Sequence, residues 1–159
     1  MPIKVGDKLP NATFRVMTAE GPKPRSTDDI FKGKKVALFA VPGAFTPTCT
    51  NMHMPSFLNN AAAFKAKGVT TIAVTGVNDV FVMDAWKKAT GGDAIEFLAD
   101  GSANFAKALG LTADLTERGL GVRSQRYAMV VDNGVVKTLN VEAPGAFEVS
   151  SADAVLKAL

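Results

Sequence analysis

The chain has 159 residues, of which 47% are hydrophobic and 21% charged, with a net charge of +3. That length suits one domain over 1–159 with a substantial core, and the composition excludes a disordered chain. The basic residues are scattered, and short runs such as Lys32-Gly33-Lys34-Lys35 and Lys87-Lys88 read as solvated surface, so no nucleic-acid interface is expected.

Met1-Pro2-Ile3-Lys4-Val5-Gly6-Asp7-Lys8 lacks the apolar centre of a secretory signal, and no apolar stretch approaches bilayer length. No membrane role is expected. The default location is a reducing, cytoplasmic one, with an organelle reached through a removed targeting segment left open. A single cysteine, Cys49, excludes both an intrachain disulfide framework and a cysteine-rich zinc site.

In chain order, the polar stretch Glu20 to Ser26 predicts a surface loop from its glycine and prolines. Val36 to Val41 is a continuous apolar run, the pattern of a strand covered on both faces. After Pro42 and Gly43 the spacing of Phe57, Leu58, Ala61, Ala62 and Phe64 predicts helix, kinked at Pro55 and ended by Gly68. Thr71 to Thr75 is a second strand. Asn78 is then placed to cap a helix through Trp86 to Thr90, ended by Gly91-Gly92. Trp86 shares a helical face with Val82 and Met83, which predicts core rather than a ligand platform. Ile95 to Leu98 is a third strand, and Ser102 a cap for a helix to Leu109-Gly110. Tyr127 to Val131 and Val135 to Leu139 flank Asp132-Asn133-Gly134, a hairpin signal, and a last helix runs from Ser150 or Ser151 to Leu159.

Parallel βα units followed by a hairpin and a helix describe an α/β protein: a mixed central sheet flanked by helices. A thioredoxin-like fold extended by an inserted βα unit has this logic. Ligands in such sheets gather beyond the carboxyl ends of the strands. Cys49 lies just past one such end, at the start of a helix whose unpaired N–H groups and dipole favour an anion.

A lone cysteine has two readings, a buried small hydrophobe or a nucleophile. Thiolates, not thiols, are the nucleophiles, and an ordinary cysteine is only about 3% thiolate at pH 7. A helix start with a nearby cation raises that population about thirtyfold at most, so fast chemistry needs further donors for the departing atom. Thr46-Pro47-Thr48-Cys49 has dithiol C-x-x-C spacing with threonine in place of the first sulfur, so no local dithiol cycle is available. Thr46 offers a hydroxyl that can donate and accept, and Pro42, without an N–H, can wall off water.

Pro42-Gly43-Ala44-Phe45-Thr46-Pro47-Thr48-Cys49 resembles the active-site signature of peroxiredoxins, in particular the type-5 (type-II) branch. The likeness continues through Val77-Asn78-Asp79, Leu98-Ala99-Asp100-Gly101 and Gly119 to Tyr127. It implies a thioredoxin-like fold with peroxiredoxin-type insertions and a thiol-dependent peroxidase. Cys49 is then the peroxidatic cysteine, which passes through a sulfenic acid. Thr46 hydrogen-bonds sulfur and peroxide, Pro42 shields them, and Arg126 stabilises thiolate and transition state. No metal, haem or flavin is implied. Arg123, three residues from Arg126, is the rival arginine; only the resemblance singles out Arg126.

His53, the only histidine, follows Cys49 by four residues and shares its helical face. It could pair with the thiol, but packing or hydrogen bonding beside the site is the preferred reading. Phe45 is a candidate for a peroxide pocket or a subunit interface, and the turn Asn78 to Phe81 for the interface of a homodimer, which relatives imply. The regions where relatives carry a resolving cysteine read Val149-Ser150-Ser151 and Ala73-Val74-Thr75, without sulfur. An external thiol must therefore finish the cycle, with glutathione and glutaredoxin favoured over thioredoxin. The alternative function is a peroxide sensor or redox relay that passes Cys49 oxidation to a partner protein.

Overall fold

In the computed structural model, which describes residues 2–159, the chain opens with a hairpin. Strands β1 (Thr13–Thr18) and β2 (Gly21–Ser26) pair antiparallel, Thr13 opposite Ser26 and Thr18 opposite Gly21. The stretch expected as a loop is therefore a strand. Pro22 and Pro24 are tolerated because β2 is the outermost strand of its sheet, where a missing N–H need not serve a further neighbour. Ser26 and Asp29 form a reciprocal capping box for α1 (Thr27–Phe31).

The apolar run becomes β3 (Lys35–Val41), buried from Val36 to Val41. The chain then turns through Pro42 to Thr46 and enters a helical segment at Pro47. Cys49–His53 is a π turn, continued by α2 (Met54–Asn59) and α3 (Ala61–Ala66). The Met54 N–H donates to the Cys49 carbonyl, and Pro55 comes next. A proline in a helix has no N–H to give, and its ring clashes with the carbonyl four residues back; a wider turn relieves both problems. The kink expected at Pro55 takes this form.

Next come β4 (Thr71–Gly76), α4 (Val80–Thr90), β5 (Glu96–Ala99) and α5 (Asn104–Leu109). Two expected caps move. Asp79, not Asn78, caps α4, accepting from the Val82 N–H at 2.9 Å. Ser102 does not cap α5. Ala103 adopts a left-handed conformation (φ 62°), and the turn brings the Asp100 carboxylate onto the Phe105 and Ala106 N–H groups, each at 3.0 Å.

A small separate sheet of β6 (Thr112–Leu115) and β7 (Gly121–Ser124) was not foreseen; its strands are short, polar and half exposed. The expected hairpin is β8 (Tyr127–Asp132) and β9 (Val135–Val141), turning on Asn133 (φ 49°) and Gly134 (φ 79°). Positive φ at both central residues matches the right-handed twist of the strands. Ser151 caps α6 (Ala152–Lys157).

The main sheet runs β2-β1-β5-β4-β3-β8-β9, with β3, β4 and β5 parallel and the remaining pairs antiparallel. Alternation along β3 feeds two cores. Ala37, Phe39 and Val41 face Phe57, Phe64, Trp86 and Val155 from α2, α3, α4 and α6. Val36, Leu38 and Ala40 face Ile30, Phe31, Phe105 and Leu109 from α1 and α5. The mixed α/β sheet with helices on both faces is thus observed, and Trp86 is core. Among the described residues, no helix is long and apolar enough to cross a membrane.

With its capping role gone, Asn78 serves another segment. Its side-chain oxygen accepts from the Ala44 N–H at 2.9 Å, tying the loop after β3 to the loop after β4. Asp79→Ala is expected to lower stability by about 1 kcal/mol and to speed hydrogen exchange in the first turn of α4. Asn78→Ala is expected to speed exchange at Ala44 and to leave that turn protected. Exchange measured on both variants distinguishes the two roles; a reversed pattern would refute the assignment.

Candidate active site

The site forms where β3 and β8 end side by side. They are antiparallel, with Ala40 opposite Tyr127, so Arg126 arrives beside Val41 just where the chain leaves for Pro42. This pairing brings Arg126 to Cys49 across 77 residues of sequence.

The loop between β3 and the π turn is held from several sides. Asn78 fixes Ala44, and the Thr46 hydroxyl donates to the Gly43 carbonyl at 2.6 Å. Gly43 is required by close approach: a Cβ there would lie 3.1 Å from the Thr46 methyl and 3.2 Å from Arg123 Nη1. Phe45 takes a left-handed conformation (φ 64°), a strain of about 1–2 kcal/mol for a bulky residue. Its ring is 53% exposed. Arg123 donates to the Leu120 carbonyl (2.8 Å) and weakly to the Pro42 carbonyl (3.4 Å), so it braces the loop from outside.

Arg126 is the arginine that meets the sulfur. Its Nη2 donates to Cys49 Sγ at 3.1 Å, and its Nη1 lies 2.9 Å from His53 Nδ1. A guanidinium has donors only, so His53 Nδ1 must accept, and the ring proton sits on Nε2. That nitrogen lies 2.9 Å from the Ser150 carbonyl, which can only accept. Both neighbours therefore demand the same neutral tautomer. Burial, and then the adjacent Arg126 charge, push the His53 imidazole down to about 3. Its ring packs on Phe39 and Phe147, with centroids 4.7 and 5.0 Å away. His53 is thus packed and hydrogen-bonded beside the site, as preferred from sequence, and Arg126 links it to the thiol.

Cys49 is fully buried, within the apolar cluster that contains Phe39 and Phe57. The small hydrophobe and the candidate nucleophile are the same residue. A cleft of about 660 Å³ reaches the site through Arg126, and Pro42, Thr46, Leu115, Leu120 and Pro144 also line it. Arg126 belongs to both the cleft wall and the sulfur's contacts. A smaller cavity of about 270 Å³, between β1, α4 and β5, includes none of the four proposed site residues. Among the described residues, no group of three His, Cys, Asp or Glu side chains could hold a metal ion.

The structure thus brings Cys49, Pro42, Thr46 and Arg126 to one place, and adds two residues that sequence reading did not assign there. Asn78 carried a signal that was read as a helix cap. Glu142, at the cleft wall, carried none: it follows β9 as one more charged residue before a proline.

A fixed loop, a buried thiol and a guanidinium on the sulfur suit chemistry that places negative charge on sulfur and on a leaving oxygen. The comparisons agree. The redoxin family model matches residues 4–156. Peroxiredoxin-2E-2, chloroplastic, of Oryza sativa subsp. japonica is 52% identical over 99% of this chain and 72% of its own length. Reduced Prx3 of Vibrio vulnificus, solved in complex with hydrogen peroxide, is 55% identical, with a TM-score of 0.95 over 98% of each chain. Peroxiredoxin 5 of Alvinella pompejana is 37% identical, with a TM-score of 0.87 over 99% of this chain and 97% of its own. The chain belongs to the redoxin family, as a one-cysteine peroxiredoxin of the type-5 branch with a thioredoxin-like fold. It is a thiol-dependent peroxidase, an oxidoreductase that takes a peroxide substrate and a thiol reductant.

The His53 tautomer has a measurable consequence. The unfolded chain binds a proton on histidine near pH 6.5, whereas the folded chain resists it until about 3. This group's contribution is complete above pH 6.5 and is lost as pH falls toward 3. Urea unfolding should show about 2–3 kcal/mol lost from this source between pH 7 and 4.5, a loss that His53→Gln lacks. An equal acid loss in His53→Gln would contradict the neutral assignment.

Proposed function

We propose that the protein reduces hydrogen peroxide and organic hydroperoxides through a sulfenic acid on Cys49. The observation that carries this reading is the 3.1 Å contact from Arg126 Nη2 to Cys49 Sγ at the edge of an open cleft. A guanidinium donating to sulfur stabilises negative charge on it, and its remaining donors can follow charge onto a departing oxygen. The thiolate attacks the nearer peroxide oxygen. An S–O bond forms as the O–O bond breaks, and the distal oxygen leaves, with a proton, as water or an alcohol. The Thr46 hydroxyl proton is engaged by Gly43, so its lone pairs are the part available to accept from an incoming peroxide O–H. Pro42 covers the site without adding a competing donor.

With one thiol in the chain, the second half of the cycle is intermolecular. A thiol attacks the sulfenic sulfur, expelling water and leaving a mixed disulfide. A second thiol then attacks that disulfide, releasing Cys49 and a new disulfide. We favour glutathione and glutaredoxin over thioredoxin as the source of these thiols. The cleft, at about 660 Å³, is larger than a peroxide needs and supports entry of a peptide thiol. No cofactor is required by this scheme. The whole chain acts as one domain, in a reducing compartment such as the cytoplasm, where reduced thiols are abundant. Phe45 and Phe81, 53% and 65% exposed, support a homodimer formed through the loops that border the site.

Steady-state peroxide consumption with glutathione plus glutaredoxin, against thioredoxin, tests the reading. Cys49→Ser is expected to abolish turnover, and Arg126→Gln to slow the oxidation step about a hundredfold or more. Thr46→Val should slow it less. No turnover with any thiol, combined with a single stoichiometric oxidation of Cys49, would favour the sensor or relay instead. Normal oxidation in Arg126→Gln would overturn the role given to the guanidinium.

A further inference from the structure

We propose that Glu142 is a positioning residue for the peroxidatic site: its carboxylate holds the backbone at Glu148-Val149-Ser150 so that Ser150 fixes His53, and His53 fixes Arg126 on the sulfur. The proposal rests on the reading of Cys49 given above and names the part of the molecule that aligns it.

The contacts form one continuous chain. Glu142 sits beyond the end of β9, and its N–H donates to the Arg126 carbonyl at 3.0 Å, so the two residues are directly paired across the extended hairpin. Its side chain is 7% exposed. A single carboxylate oxygen, Oε2, accepts from the N–H groups of Glu148 (2.8 Å), Val149 (2.9 Å) and Ser150 (2.8 Å), and from the Ser150 hydroxyl (2.6 Å). Consecutive amides converging on one anion form a nest, and the arrangement is rigid because each donor is satisfied there. Burial pushes the Glu142 carboxyl up, but the bonds from Ser150, Glu148 and Val149 outweigh it and hold the group below its ordinary range.

The same peptide segment then turns its Ser150 carbonyl onto His53 Nε2 at 2.9 Å. Position matters at this point. If the carbonyl moves away, only Arg126 still favours the Nε2 proton, which is then left without its acceptor. A proton on Nδ1 would face Arg126 Nη1, donor against donor, and the guanidinium would have to turn. The segment between Glu142 and α6 carries no strand or helix of its own, and the carboxylate takes three consecutive backbone N–H groups of it. Geometry, not charge, is what Glu142 is asked to supply.

Two variants separate those possibilities. Glu142→Asp keeps the charge and shortens the reach by one methylene, so it cannot retain all four bonds. Glu142→Gln keeps the reach and an acceptor oxygen but loses the charge. Stopped-flow oxidation of reduced protein by hydrogen peroxide gives the rate, and ¹⁵N shifts of the single histidine report its tautomer without any peroxide. Circular dichroism checks folding. Glu142→Asp is expected to slow oxidation about tenfold to a hundredfold and to mix the His53 tautomers, while Glu142→Gln stays near the wild-type rate with the proton on Nε2. Wild-type behaviour in Glu142→Asp overturns the proposal. So does a slowed Glu142→Asp whose His53 signal is unchanged, or a slow Glu142→Gln beside a normal Glu142→Asp. Failure of the peroxidase reading is seen separately, as a wild-type protein whose Cys49 does not react.

Discussion

A guanidinium carries five N–H donors and no acceptor, so a partly buried arginine obliges its neighbours to accept. Arg126 imposes that condition on the site. The sulfur accepts from one nitrogen, and His53 accepts from another. Because His53 must accept at Nδ1, it must carry its proton at Nε2, and the Ser150 carbonyl stands there to receive it. One cation thus sets the polarity of every hydrogen bond from the thiol outward. A buried imidazolium would break the pattern, and burial together with the Arg126 charge keeps the ring neutral.

The fold contributes the placement. β3 and β8 are neighbours in the sheet and run in opposite directions, so the end of one and the start of the other share an edge. The thiol comes from the segment leaving β3 and the guanidinium from the residue entering β8. The π turn adds a local adjustment: with Pro55 following, the backbone widens over Cys49–His53, and both side chains reach Arg126. Asn78 brings in the loop after β4, the third element ending at that edge.

The parts legible in the sequence were those governed by local rules. The continuous apolar run of β3, the Asn-Gly hairpin and a last helix starting near Ser150 or Ser151 follow from side-chain pattern and turn chemistry, and the structure has all three. Reading failed where tertiary context decides. The prolines of β2 argue against a strand unless the segment is known to be an outer edge. Asn78 and Asp79 are both good caps, and only the geometry of the loop assigns one to α4 and the other to Ala44. Arg123 and Arg126 could not be separated by pattern, because the choice depends on β8's register against β3. Glu142 was invisible for the same reason: its partners lie six to eight residues on, in a segment without periodicity.

In the proposed cycle Cys49 takes the oxygen atom and another molecule must remove it. Mass spectrometry of intact reduced protein, after one equivalent of peroxide and then excess glutathione, tests it most directly. The expected sequence is the addition of one oxygen atom, its replacement by one glutathionyl group on Cys49, and return to the starting mass with glutaredoxin. An unchanged mass after peroxide, or the same additions in Cys49→Ser, would contradict it.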